Sequence, residues 1–289
     1  MHKFIVAATA LALSCTIAIA LPFAQSHAAA PLDANGEPLV EFGMMTWPEV
    51  RDALAAGKTT ALFYTGGTEQ RGPQNVNGGH NLMAVPTVKA IALKLSNAIA
   101  MPVLPYTPNR ASADLPGTIG LTPEILSAIL ERISEEAIVT GFKNIILMGD
   151  HGGGQPSAYQ TVAEKLDAKY AAQGIHVYYC DEVYAKANDD FAAWFKAEGY
   201  PEGLHGALPD TSEMLFLGDG TWVRKDLIKT AVGDPPPVPG QDADPNVPRV
   251  NNGIIGDGRR SSAELGERLF NMKVDYAVKQ IQELVGSGS

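Results

Sequence analysis

The sequence predicts an α/β fold, a single three-layer α/β/α domain built on a mostly parallel sheet. Three observations carry this expectation. Short apolar, β-branched runs alternate with longer amphipathic stretches, the rhythm of strand–helix–strand units with helices on both faces of a sheet. Two glycines, Gly141 and Gly174, close helical patterns immediately before new strand candidates. About 259 residues follow an N-terminal leader, enough for one large buried core.

The leader occupies residues 1–30. Lys3 supplies a short basic start, residues 4–21 are almost wholly apolar, and 26-SHAAA-30 offers small residues for cleavage before Pro31. This is a secretory signal pattern and predicts a periplasmic or secreted protein. A membrane anchor is disfavoured because Pro22 follows a run at the lower limit for spanning. A lipid anchor through Cys15 is disfavoured because the apolar run continues past it. Loss of Lys3 moves the formal charge from −10 to −11. Such an acidic chain is a poor match for nucleic acid or an anionic membrane. Cys180 is the one cysteine beyond the leader, so no intrachain disulfide is expected.

The elements of the domain are then read in order: helix 48–56, strand 60–64, helix 83–98, strand 101–104, helix 123–140, strand 144–148, helix 156–172, strand 175–180, helix 182–198 and helix 262–285. Thr122, Pro123 and Glu124 form an N-cap, an N1 proline and an acidic first turn. The Pro-rich, acidic stretch 233–249 is expected to be a surface loop within the domain 31–289.

In open α/β sheets the site lies outside the carboxyl ends of the strands. The loops to inspect therefore follow Tyr64, Leu104, Met148 and Cys180. After the first strand comes 67-GTEQRGPQNVNGGHN-81, too polar for core, with Glu69, Arg71 and His80. After the third comes 149-GDHGGGQP-156, which lacks the lysine and hydroxyl of a Walker A loop but ends a strand on Asp150 and His151. Past the leader the histidines are His80, His151, His176 and His205. His176 falls within a strand and reads as structural, while the other three sit in glycine-flanked polar segments. His205 opens 205-HGALPDTSEML-215, which carries Asp210 and Glu213. Imidazole and carboxylate donors of this kind suit a borderline metal such as zinc.

Six blocks in order resemble the creatininase-type amidohydrolases: 46-TWPEV-50, 66-GGTEQRGPQNV-76, 115-LPGTIGLTPE-124, 150-DHGGGQ-155, 205-HGALPDTSEML-215 and 256-GDGRRSSAELGERLF-270. The resemblance implies one α/β domain, commonly in a homohexamer, with one or two divalent metals (zinc, manganese or iron) and cleavage of a cyclic or formyl C–N amide bond. It matches Glu69 to the first metal ligand, His151 to the histidine of the glycine-rich turn and His205 to a catalytic histidine. Asp210 stands where the family carries a glutamate. Two positions depart: the family's second ligand, a histidine, is Arg71, and its bridging aspartate is His80. A guanidinium stays charged and does not bind metal.

The resulting expectation is a secreted hydrolase of a small amide, lactam or related compound, with one metal, zinc first, held by Glu69, His80, His151 and Asp210. His205, Asp150 or Glu213 would move the proton, and Arg71, in the second metal's place, would bind an anionic substrate group. The alternatives are an ester or lactone hydrolase of the same machinery, and a non-catalytic periplasmic binding or assembly protein with a decayed site.

Overall fold

The computed structural model describes residues 31–237 and 250–287; the leader 1–30 and residues 238–249 of the Pro-rich stretch lie outside the described residues. Four parallel strands form one sheet in the order β2-β1-β3-β4: β1 (Thr60–Thr65), β2 (Ala98–Ala100), β3 (Asn144–Gly149) and β4 (His176–Tyr179). Among the described residues seven α-helices accompany them: α1 (Trp47–Ala55), α2 (Gly79–Leu95), α3 (Pro123–Thr140), α4 (Gln155–Tyr170), α5 (Ala185–Ala197), α6 (Leu208–Leu217) and α7 (Ala263–Ser287).

Period-two alternation sorts the strand side chains into two layers. Leu62 and Tyr64 of β1 and Ile146 and Met148 of β3 pack with Val88 and Ile91 of α2 and with Val274 and Ile281 of α7. Ala61, Phe63, Ile145 and Leu147 face the other way, onto Leu126 and Leu130 of α3 and Val162 and Leu166 of α4. Both faces of the central strands are therefore covered, which is why β1 is buried along its whole length.

The elements differ from the sequence reading most at β2, at the start of α2 and at α6. The strand expected at 101–104 begins earlier, at Ala98–Ala100, because Ser96 adopts a left-handed conformation (φ 62°) and ends α2 at Leu95. Residues 101–104 continue as looser pairings, with Met101 N–H donating to Leu62 O (3.0 Å) and Leu104 N–H to Tyr64 O (3.2 Å). Helix α2 starts at Gly79 instead of 83, so His80 belongs to a helical first turn and not to a loop. The glycine pair before it carries no sequence signature of a helix start. Helix α6 was not anticipated: its ten residues are too few for a clear period, although Pro209 and Asp210 in its first turn are recognisable start signals.

The arrangement that positions the site is the register of β1 and β3, which pairs Thr60 with Asn144 and Thr65 with Gly149. The two strands end level, so the Glu69 loop and the Asp150–His151 turn leave the sheet side by side. Helix α6 packs on α7, where a Cβ on Gly266 would lie 2.0 Å from Ser212 O; the missing side chain permits the close crossing. Among the described residues no helix is long and apolar enough to cross a membrane.

Candidate metal centre and active-site cleft

Glu69 is the hub, and local hydrogen bonds hold its loop. Glu69 N–H donates to Asn77 O (2.9 Å), Gly67 N–H to Asn81 Oδ1 (2.8 Å), and Asn81 Nδ2 to Thr68 Oγ1 (3.0 Å). Gln155, at the start of α4, ties this loop to the neighbouring one. Its Nε2 donates to Gly66 O (2.9 Å) and its Oε1 accepts from His151 N–H (3.2 Å). Loops on adjacent level strand ends thus become one rigid unit.

Two imidazoles converge on the buried Glu69 carboxylate. His80 Nε2 lies 2.9 Å from Oε1 and His151 Nε2 3.0 Å from Oε2. Ligating atoms of Glu69, His80 and His151 all lie within 4.8 Å of one another. A third histidine, His205, approaches from the start of the α6 segment, with Nδ1 3.5 Å from Glu69 Oε1 and Nε2 2.7 Å from Gln70 O. Asn109 adds a donor that sequence reasoning missed: its Nδ2 lies 2.6 Å from Glu69 Oε2 and 3.3 Å from His151 Nε2. It belongs to the loop after Leu104, which topology marked for inspection but where no residue type stood out.

Behind this group lies a chain of buried charges. His80 Nδ1 is 3.0 Å from Asp150 Oδ1, Asp150 Oδ2 is 3.5 Å from Lys273 Nζ, and Lys273 donates to Glu213 Oε2 at 2.6 Å. To one side, Arg71 has no exposed surface and places Nη2 2.6 Å from Asp210 Oδ1 and Nη1 3.9 Å from Glu69 Oε1. Asp210 also accepts from Gly206 N–H (2.7 Å).

The neighbours set the charge states. Burial works against ionising Glu69, but hydrogen bonds from His151 and His80 outweigh it and hold its carboxyl well below the usual range. Burial also opposes charge on Asp150, yet His80 and Lys273 pull its pKa down. Burial and the Arg71 charge depress His80, while Asp150 and Glu69 outweigh them and lift it to about 9. For Glu213 burial prevails over Lys273 and the shift is upward.

The sequence-predicted residues therefore separate into three groups. Glu69, His80 and His151 come together as one donor set. Asp210 does not join them, because it is paired with Arg71. Asp150 and Glu213, expected to carry protons to the substrate, are 4 % and 1 % exposed and sit behind His80, away from the cleft. Arg71, expected to meet substrate, is sealed from solvent. A cleft of about 330 Å³ opens over Glu69, His151 and His205, with Leu115 and Ile255 as apolar wall and Arg110 at its rim. Arg110 is exposed and has no acidic partner among the described residues. His176 is, as expected, away from the site, 3.0 Å from Asp167.

The donor set fits one divalent ion: a carboxylate and two imidazoles with room for water is a conventional hydrolytic arrangement. It is the one such group among the described residues, and the position beside it is filled by the Arg71 guanidinium.

The creatinine amidohydrolase family model matches residues 43–281. No curated protein gives a significant match. Among solved structures, one described as "Creatininase Mn" is 23 % identical with a TM-score of 0.66, covering 85 % of this chain and 98 % of that one. A mutant creatininase described as "Zn-Zn type" is 23 % identical with a TM-score of 0.63, covering 85 % and 98 %. A mutant creatininase complexed with creatine is 23 % identical with a TM-score of 0.65, covering 86 % and 99 %. At these identities the likeness is one of fold. With the family model spanning most of its length, the chain belongs to the creatinine amidohydrolase family.

Proposed function

We propose that this protein is a secreted, single-ion amidohydrolase that cleaves a C–N bond of a small amide, cyclic amides included, bearing an anionic group. The observation that carries the reading is the convergence of donor atoms of Glu69, His80 and His151 on one point, with Glu69 and His151 opening onto a cleft. Zinc is the metal of choice, given two imidazoles and one carboxylate.

Charge balance supports one ion. Glu69, Asp150, Asp210 and Glu213 bring four carboxylates into this region, and Arg71 and Lys273 bring two fixed cations. With all four acids ionised and His80 neutral as a ligand, the deficit is two positive charges, which a single divalent ion makes good. Arg71 is the reason a second ion is not needed.

A bound divalent ion supplies Lewis-acid polarisation of the carbonyl and acidifies a water. Asn109 Nδ2 donates to Glu69 Oε2 and fixes the orientation of that carboxylate. His205, the histidine with a free approach from the cleft, moves the proton to the leaving nitrogen. Arg110, not Arg71, meets the substrate's anionic group, because a guanidinium at the rim can reach a ligand and a sealed one cannot. Leu115 and Ile255 shield the reacting carbonyl from bulk water. Export to the periplasm follows the leader pattern, and a homohexamer follows the family resemblance.

The test is elemental analysis of the purified mature protein combined with a hydrolysis screen of small cyclic amides, imides and carboxylated amides. About one zinc per chain, abolished in His151→Ala together with turnover, is expected. No stoichiometric metal, or two ions per chain, would sink the single-ion reading.

A further inference from the structure

We infer that Lys273 is a positioning residue for the ion: it anchors Asp150, which in turn fixes the His80 ring so that Nε2 faces the metal position. The inference rests on the single-ion reading of the Glu69, His80 and His151 group.

The geometry runs in one direction. Lys273 lies on α7 and is 4 % exposed. Its Nζ is 2.6 Å from Glu213 Oε2 on α6 and 3.5 Å from Asp150 Oδ2 at the end of β3. Asp150 Oδ1 is 3.0 Å from His80 Nδ1, and His80 Nε2 is 2.9 Å from Glu69 Oε1. A carboxylate at ion-pair distance from one imidazole nitrogen favours the proton there and leaves the other nitrogen free to ligate. Asp150 also immediately precedes His151, so displacement of its carboxylate disturbs two of the three donors.

A buried lysine between two buried carboxylates demands a reason, because such charges are costly to take out of water until they are paired. A plain tether between α6 and α7 would need only Glu213. Lys273 is instead shared with Asp150, whose free oxygen serves the site. Without the ammonium, Asp150 and Glu213 would remain as neighbouring like charges, and Asp150 would lose the contact that holds its second oxygen away from His80. Gly266, two helical turns before Lys273, allows α7 to approach α6 closely enough for this sharing.

Zinc affinity, read by competition with a chromophoric chelator, separates this role from simple packing. Lys273→Met is expected to bind zinc about 10- to 100-fold more weakly than the natural protein, while Glu213→Gln, which still accepts from Lys273, stays within about threefold and loses only denaturant resistance. A Lys273→Met affinity within about threefold of the natural protein, or an equal loss in Glu213→Gln, overturns the inference. If Lys273→Met does not fold, long-range ¹⁵N spectra of the zinc-loaded natural protein decide. The His80 ring must show N–H at Nδ1 and zinc at Nε2; the reverse overturns the role. Failure of the natural protein to bind zinc overturns both this inference and the proposed function. Zinc binding that Lys273→Met leaves intact overturns the inference alone.

Discussion

Arg71 Nη2 lies 2.6 Å from Asp210 Oδ1, and no part of the Arg71 side chain reaches solvent. The pair joins the loop after β1 to the first turn of α6, and Glu69, 3.9 Å from Nη1, feels the same charge. Removing Arg71 leaves the sealed Glu69 and the part-buried Asp210, 19 % exposed, without the cation between them. Arg71→Met is therefore expected to lower unfolding free energy by about 3–5 kcal/mol in urea titrations, and the double change Arg71→Met/Asp210→Leu to recover much of that loss. A single variant as stable as the natural protein would show that the pair is solvated and not buried.

His80 predicts a pH dependence of the metal-free protein. Its pKa in the fold is raised to about 9, so the folded state holds this proton more tightly than the unfolded chain does. The associated stability is fully present below the ordinary histidine value, near 6.5, and is lost as pH rises through about 9. Thermal melts of chelator-treated protein from pH 6 to 10 should show a falling midpoint across that window, flattened in His80→Gln.

Arg110 and His205 should separate kinetically. Arg110→Gln removes binding at the rim and is expected to raise KM for a carboxylated amide about tenfold with kcat little changed. His205→Ala should lower kcat by about 10²- to 10⁴-fold, as loss of a general acid does. Steady-state kinetics on one carboxylated amide and its neutral carboxamide would expose the split, since only the carboxylated one should respond to Arg110.

His151 offers a spectroscopic reporter. Gly153 N–H donates to its Nδ1 at 3.1 Å, which places the proton of the neutral ring on Nε2, facing Glu69. An ion taken up at Nε2 drives the proton to Nδ1 and removes that acceptor. Metal titration followed by amide NMR should therefore move the Gly153 resonance in step with ion uptake. An unmoved resonance at full occupancy would mean that His151 is not a ligand through Nε2.

Much of the fold was legible because its signals are local. Thr122 does accept from Ile125 N–H, Gly141 and Gly174 do adopt positive φ, and the β1 and β3 runs are apolar on both faces. The start of α2 and the whole of α6 were not legible, since a Gly-Gly entry and a ten-residue helix carry little period. At the site, residue type and the polar segments after β1 and β3 singled out Glu69, His80 and His151, which the fold brings within 4.8 Å of one another. Which way the other charges point was beyond reach. Arg71, Asp150 and Glu213 look like cleft residues in sequence, but pairing with Asp210, His80 and Lys273 turns them inward. Lys273 itself falls mid-helix, where a lone lysine reads as solvated surface.

Arg71 gives the site a cation written into the polypeptide. A chelator can strip an ion from Glu69, His80 and His151, but it cannot strip a guanidinium. The stripped protein would keep the loop after β1 latched to α6 and wait for a single ion to return. Ion uptake then starts from an ordered, half-neutralised pocket instead of one that must be rebuilt.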